Sequence, residues 1–372
     1  MLHNDISFSL IKEPFIIAEM SGNHNQSLER ALAIVDAAAE AGADAVKLQT
    51  YTANTMTLDL DDREFFIKDS NSLWKNQSMY SLYKKAHTPW EWHKAIIERT
   101  NSKGIFCFST PFDETAVDFL EELDVPFYKI ASFENTDIPL IRKIASTGKS
   151  IIISTGMATI AEMSEAVLTA REHGCRDLVL LKCTSTYPAS PENSNLATLP
   201  HMRELFDCQV GLSDHTLGIG AAVASIGMGA KVIEKHFTLC RSDGGIDSAF
   251  SLEPDEMKLL VEETKRAWQA LGEIRYGPTQ SEENARMRRR SLYISQDMLA
   301  GDILTQQNLR RIRPECSAMD GYPRVLLRRA ARDAPRLHPL LVRGRALRAD
   351  QGNADRVSRA RRRDRDRLDL PR

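Results

Sequence analysis

Short apolar runs ending in polar groups alternate with amphipathic segments of helical period along most of this 372-residue chain. Residues 15–20 predict a first strand. Residues 27–41 predict the first helix, because Leu28, Ala31, Ile34, Val35 and Ala38 recur at helical spacing on one face. Further strands are predicted at 45–49, 105–109, 127–130, 150–154, 178–182, 209–213 and 231–236, and helices at 89–102, 114–123, 139–146, 159–173 and 254–272. The segment 50–88 interrupts this rhythm with polar and aromatic residues, and so long an excursion between a strand and its helix points to a functional lid.

Eight such units within about 270 residues match a closed (β/α)8 TIM barrel in number and length. An open doubly wound sheet usually offers fewer strands and a Gly-rich first turn, which Glu19-Met-Ser-Gly-Asn is not. The barrel is therefore assigned to 1–272. Residues 273–289 read as a polar linker. Residues 290–320, with short strand-like runs at 290–295 and 297–305 and a further run at 307–314, read as the start of a small second domain. From 321 to 372 the chain becomes Arg, Ala, Leu, Asp and Pro with almost no β-branched or aromatic residues, a composition from which no packed core follows; a disordered or aberrant Arg-rich tail is expected.

Charge sharpens this division. The formal net charge of -2 argues against a nucleic-acid partner, but the last segment holds sixteen Arg against six Asp, so the remainder is acidic. Six cysteines without C-x-x-C spacing read as reduced core thiols, and the N-terminus lacks a basic start and an apolar core of signal-peptide type. With no apolar run approaching the roughly 20 residues of a membrane span, a cytoplasmic protein with no membrane partner is expected.

A barrel places its chemistry at the C-terminal ends of its strands. There the chain puts Glu19, Lys47, Gln49, Thr110, Lys129, Ser132, Ser154, Tyr187, Ser213, His215 and His236. Lys47 and Lys129 sit within otherwise apolar strands, where a lysine is costly to bury without an anion; a phosphate or carboxylate ligand is expected, against the plainer reading of a paired structural lysine. The hydroxyls of Thr110, Ser132, Ser154 and Ser213 serve equally well as helix caps or as ligand donors. If the seventh and eighth strands are parallel neighbours, His215 and His236 lie roughly 5 Å apart. That is close enough to share a divalent ion, with Asp214 beside one and Asp247 after the other. Closure brings Glu19 near them as an acid/base or water-orienting group. The residues alone thus support an enzyme that binds a small anion and a metal that polarises a carbonyl.

Seven motifs in order carry a resemblance: Ile17-Ala-Glu-Met-Ser-Gly-Asn-His-Asn25, Val46-Lys-Leu-Gln-Thr50, Phe108-Ser-Thr-Pro-Phe112, Tyr128-Lys-Ile-Ala-Ser132, Ser154-Thr-Gly-Met157, Gly211-Leu-Ser-Asp-His215 and Glu234-Lys-His-Phe237. Together, over about 14–314, they resemble the sialic acid synthase family. The resemblance implies a TIM barrel followed by an antifreeze-like (SAF) domain, a domain-swapped homodimer, and condensation of phosphoenolpyruvate with an N-acetylated amino sugar. It implies that Lys47, Thr110, Lys129, Ser132, Ser154 and Ser213 hold phosphoenolpyruvate and that His215 and His236 ligate Mn²⁺ or Mg²⁺. Gln49, Glu134, Ser185, Tyr187 and Asp247 would then face the sugar, and Arg313 would reach into the partner's site. Ser185 stands where N-acetylneuraminate synthases usually carry Asn, which sets the chain nearer members that use a 2,4-diacetamido-2,4,6-trideoxy sugar. N-acetylneuraminate and legionaminic acid chemistry, a Schiff-base lyase and an inactive binding barrel are the other readings. After Pro314 the chain departs from the family pattern, so a shifted reading frame near Glu315 and an incomplete second domain are expected.

Overall fold

A computed structural model describes residues 6–69, 72–286, 288–299 and 301–314, and the chain divides into two units after Glu273. The expectations for 315–372, including Cys316 and the Arg-rich tail, lie outside the described residues. In the first unit, the described residues form a closed ring of eight parallel strands. These are β1 (Phe15–Glu19), β2 (Ala45–Thr50), β3 (Phe106–Pro111), β4 (Phe127–Ile130), β5 (Ser150–Ser154), β6 (Leu178–Cys183), β7 (Gln209–Asp214) and β8 (Val232–His236). The ring is a (β/α)8 TIM barrel. Its last seam pairs Glu19 with His236 in register, and its seventh seam pairs Ser213 with Glu234.

Helices wrap the ring: α1 (Leu28–Glu40), the short α2 (Ala53–Met56) and α3 (Met79–Ala86), α4 (His93–Lys103), α5 (Glu114–Glu122), α6 (Ile138–Ala145), α7 (Ile160–Glu172), α8 (Thr198–Phe206), α9 (Gly220–Gly227) and α10 (Pro254–Leu271). Their starts are written in the sequence: Ser27, Asp113, Asp137 and Thr159 each accept backbone N–H bonds as N-caps. The capping role weighed for Thr110, Ser132 and Ser154 is thus taken by Asp113, Asp137 and Thr159, while the helix after Ser213, α9, starts after Ile219 without a side-chain cap.

The period-two alternation of the strands sorts their side chains into two cores. Inward-facing Phe15, Ile17, Ala45, Phe108, Phe127, Ile152, Val179, Leu181 and Val232 fill the lower barrel. Phe8, from a 3-10 turn before β1, closes that end, edge-on to Phe127 at 5.1 Å, with its N–H held by Asp177 at 2.6 Å. The opposite faces of the strands join the helices in a second, larger core.

The barrel helices α8 and α9, and the short α2 and α3 within 50–88, are absent from the predicted pattern. In α8, Leu199, Met202 and Phe206 form a buried stripe, but Pro200 in its first turn obscures its start; α9 begins and ends in glycine with apolar residues all round and presents no stripe. In the second unit, β9 (Ser291–Ile294) pairs antiparallel with β10 (Leu309–Ile312), while α11 (Glu283–Arg286) lies before them. The strand-like reading of 297–305 is overturned. That stretch forms a turn in which Asp302 accepts the N–H of Leu299 at 2.7 Å, and Leu309 supplies the partner strand instead. Among the described residues no helix is long and apolar enough to cross a membrane.

Candidate active site

The alternation that places phenylalanines at the bottom of the barrel places charge at the top. On β2, Ala45, Lys47 and Gln49 point inward; on β8, Val232, Glu234 and His236 do. Lys47 Nζ lies 2.9 Å from Glu19 Oε2, 3.3 Å from Glu234 Oε1 and 3.3 Å from Thr110 Oγ1. Lys129 Nζ reaches the same Glu234 oxygen at 3.3 Å, and Ser213 donates to it at 3.3 Å. Gln49 donates to Glu19 Oε1 at 2.8 Å. Both lysines are therefore paired with carboxylates. Glu234, whose part in the site the sequence reading left unassigned, is the hub. Its signal was the i, i+2 spacing from His236 on an inward face.

Burial disfavours ionisation of Glu234, but Lys129 and Lys47 outweigh it and hold the carboxyl down at about 2. For Glu19 burial wins, and its carboxyl is pushed up in spite of Lys47. Burial also outweighs Glu234 at Lys129, which is held below the ordinary lysine value; at Lys47 the two carboxylates win and hold it above. An anion arriving beside Lys129 would favour its charged form.

His215 and His236 end neighbouring seams, their ring centroids 5.3 Å apart, as the strand count required. The Nδ1 of His215 meets the carbonyl of Thr184 at 2.9 Å, which directs its Nε2 away. Buried His236 Nδ1 has no hydrogen-bond partner, and Asp247 Oδ2 stands 3.6 Å from it. Burial, then His215 and Lys47, hold His236 well below the usual imidazole range, hence neutral. Asp247 is bonded by the Ser21 hydroxyl, and burial pushes its carboxyl up to about 6. Asp214 is not beside His215 in the way expected. The pleat turns it outward, where it is ion-paired with buried Lys235 at 2.8 Å. That pair bridges β7 and β8 from outside and fixes the register in which the two histidines meet. Gly211 lets these strands approach, since a Cβ there would fall 2.1 Å from the Val232 carbonyl oxygen.

These groups open into a cavity of about 490 Å³ lined by Lys47, Gln49, Lys129, Ser132, Glu134, Ser154, Tyr187, Ser213, His215, Glu234, His236 and Asp247. Glu19 and Thr110 lie buried behind the lining, bonded to Lys47. Ser154 presents a buried hydroxyl oxygen with no partner, while Ser132 accepts the N–H of Gly156 at 3.2 Å. Ser185 packs over Gly156, where a Cβ would fall 2.2 Å from its hydroxyl. The Tyr187 ring lies tilted against His215, with centroids 4.5 Å apart. Burial pushes Glu134 up to about 7, and its Oε2 has no hydrogen-bond partner. Cys183 also lines the cavity, 3.9 Å from His215 Nδ1, and was not singled out. Arg313 belongs to the second unit, exposed just after β10. The far side of the cavity comes from the 50–88 excursion, chiefly Met56, Ile67, Trp74, Met79, Leu82 and Tyr83.

Fold and site together define a barrel with a floor of two lysines balanced by carboxylates and a pair of adjacent histidines beside it. Residues 34–276 match the NeuB family, and the chain belongs to it. It is 43% identical over 328 residues to a pseudaminic acid synthase of Campylobacter jejuni, covering 88% of this chain and 95% of that one. The pseudaminic acid synthase of Helicobacter pylori is 42% identical, over 82% of this chain and 89% of its own length. Among solved structures, the N-acetylneuraminic acid synthetase of Leptospira borgpetersenii, in complex with citrate, superposes with a TM-score of 0.66 at 32% identity. That match covers 73% of this chain and 90% of that one.

Proposed function

We propose that this protein is a pseudaminic acid synthase, condensing phosphoenolpyruvate with 2,4-diacetamido-2,4,6-trideoxy-L-altrose. The observation that carries the reading is the floor of the cavity, where two buried lysines converge on one carboxylate next to two adjacent imidazoles. The identity of more than two fifths to two pseudaminic acid synthases supports the choice of sugar.

Lys47, Lys129 and the hydroxyls of Thr110, Ser132, Ser154 and Ser213 hold phosphoenolpyruvate, with the unpartnered Ser154 oxygen and the depressed Lys129 both awaiting an anion. Gln49, Tyr187, Asp247, Glu134 and Ser185 orient the open-chain sugar. The enol carbon forms a bond to the aldehyde carbon, whose oxygen takes a proton. Water then adds at the former enol carbon. Glu19, its carboxyl raised by burial, orients that water and accepts its proton. The C–O bond breaks, the bridging oxygen leaves with phosphate, and the nine-carbon keto acid remains.

Among the described residues no group of three or more His, Cys, Asp or Glu is arranged to hold a metal ion. The pair His215 and His236 nevertheless fits one, because His236 Nδ1 is buried, neutral and unpartnered, and the His215 tautomer set by Thr184 leaves Nε2 for coordination. Mn²⁺ or Mg²⁺ held there would supply Lewis-acid polarisation of the sugar aldehyde. We place Arg313 at the sugar of a partner subunit in a homodimer.

The test is phosphate release and product mass with phosphoenolpyruvate labelled by ¹⁸O at the bridging position. The expected result is label in phosphate and a nonulosonic acid whose mass is that of the sugar plus pyruvic acid. Label retained in the organic product, or phosphoenolpyruvate bound without phosphate release, would refute the reading.

A further inference from the structure

The charged floor occupies one side of the cavity, and the opposite side is of another character. Met56, Ile67, Trp74, Met79, Leu82 and Ile246 form it, all but the last from the excursion between β2 and α4. Their backbone and ring polar groups are already committed. The indole N–H of Trp74 donates to the Ile246 carbonyl at 3.0 Å, so the ring offers the cavity only its apolar surface. Ile67 donates to the Gln77 carbonyl at 3.0 Å and accepts from Asn76 at 2.9 Å, which pins this strip against the start of α3. Trp74 is held further by its own N–H on Ser72 Oγ at 3.1 Å and by Gln77 on its carbonyl at 3.2 Å. Its ring lies 5.6 Å from Tyr187, which in turn packs against His215, so the tryptophan stands one ring away from the reacting end. Asp69 and Ser72 are polar members of the same strip in the lining.

A sugar placed with its aldehyde at the histidines presents its far carbons to this strip. A hydroxyl there must give up water for a thioether, an indole face or a leucine, whereas a methyl gains by the same contact. From this we infer that Trp74 and Met79 are specificity-determining residues that select an acceptor whose far end carries a methyl over one that carries a hydroxyl there. The inference rests on the proposed function and names what part of the acceptor this wall reads.

The experiment compares kcat/KM for 2,4-diacetamido-2,4,6-trideoxy-L-altrose and for N-acetylmannosamine, by phosphate release, in the wild type and in Trp74→Ala, Trp74→Phe and Met79→Ser. The expected result is a wild-type preference for the trideoxy sugar that falls about tenfold or more in Trp74→Ala and Met79→Ser and is largely kept in Trp74→Phe, at an unchanged KM for phosphoenolpyruvate. If Trp74→Ala does not fold, Met79→Ser decides alone. A ratio unmoved in the folded variants, while the wild type still turns over the trideoxy sugar, overturns this inference and leaves the proposed function standing. A wild type that releases phosphate with neither sugar, or prefers N-acetylmannosamine, overturns both.

Discussion

The two ends of the barrel are built from the same strands by the same alternation, yet they bury opposite kinds of side chain. At the bottom, Phe8, Phe15, Phe106 and Phe127 pack ring against ring with centroids 5.1 to 6.3 Å apart. At the top, Glu19, Lys47, Lys129, Glu234 and His236 are also buried. Burying aromatic surface stabilises a fold, whereas burying an ion pair at best breaks even against an apolar core of the same shape. The lower end therefore accounts for stability. The upper end is a standing cost whose return is chemistry.

That contrast can be broken from either side. The largest expected effect is at the top: His236→Ala should reduce phosphate release on the order of 10³-fold, as removal of an electrostatic stabiliser does, with little change in melting temperature. Chelation should match the loss in the wild type and metal add-back should reverse it; wild-type turnover in the variant or after chelation would remove the pair from the chemistry. At the bottom, Phe127→Ala should cost about 3–5 kcal/mol in denaturant unfolding. Its kcat, measured below the transition, should stay near that of the wild type, and a comparable loss of kcat would mean that the two ends are not separable. A smaller effect is expected from Lys129→Met, which exchanges a desolvated ammonium for an apolar chain. The KM for phosphoenolpyruvate should rise roughly tenfold with a modest loss of stability, since Glu234 then keeps only Lys47, which it shares with Glu19. A large drop in stability would make Lys129 a structural lysine after all.

The smallest effect concerns pH. The Glu134 carboxyl is raised from 4.5 to about 7 in the fold, so the folded protein holds that proton more tightly than the unfolded chain. Its contribution to stability is fully present below pH 4.5 and is lost as pH rises through 7. Glu134→Gln removes the dependence, so the variant should gain a few degrees of melting temperature at pH 8 relative to the wild type and little or nothing at pH 5. An equal shift at both pH values would contradict the raised carboxyl.

Much of this was legible along the chain because the barrel repeats a simple rule. Apolar strands with one polar residue every second position near their ends marked Lys47, Lys129 and His236. The strand count alone put His215 beside His236. What stayed hidden depended on contacts between distant strands. Glu234 could be read as inward-facing, but its place between two lysines follows from the ring's geometry. Asp214 looked like a neighbour of His215 in sequence, while the pleat sends it to the helix side. The helices α8 and α9 escaped because proline and glycine weaken the local signal where packing supplies the stability. The 50–88 segment announced a functional excursion by its length, but which of its side chains face the cavity depends on the Ile67–Gln77 pinning that brings Trp74 over the site.

The seam between the first and last strands has a consequence for how the molecule is made. Glu19 meets His236 in register, and Asn23 donates to the Phe237 carbonyl across 214 positions of sequence. Contacts so remote along the chain form late, because the whole intervening polymer must be brought into place before they reward it. During synthesis, a nascent chain that has released seven strands already carries both lysines but not the carboxylate that joins them. The charged floor therefore cannot assemble ahead of the ring, and a half-made protein leaving the ribosome is spared a finished, ligand-hungry site before its barrel has shut.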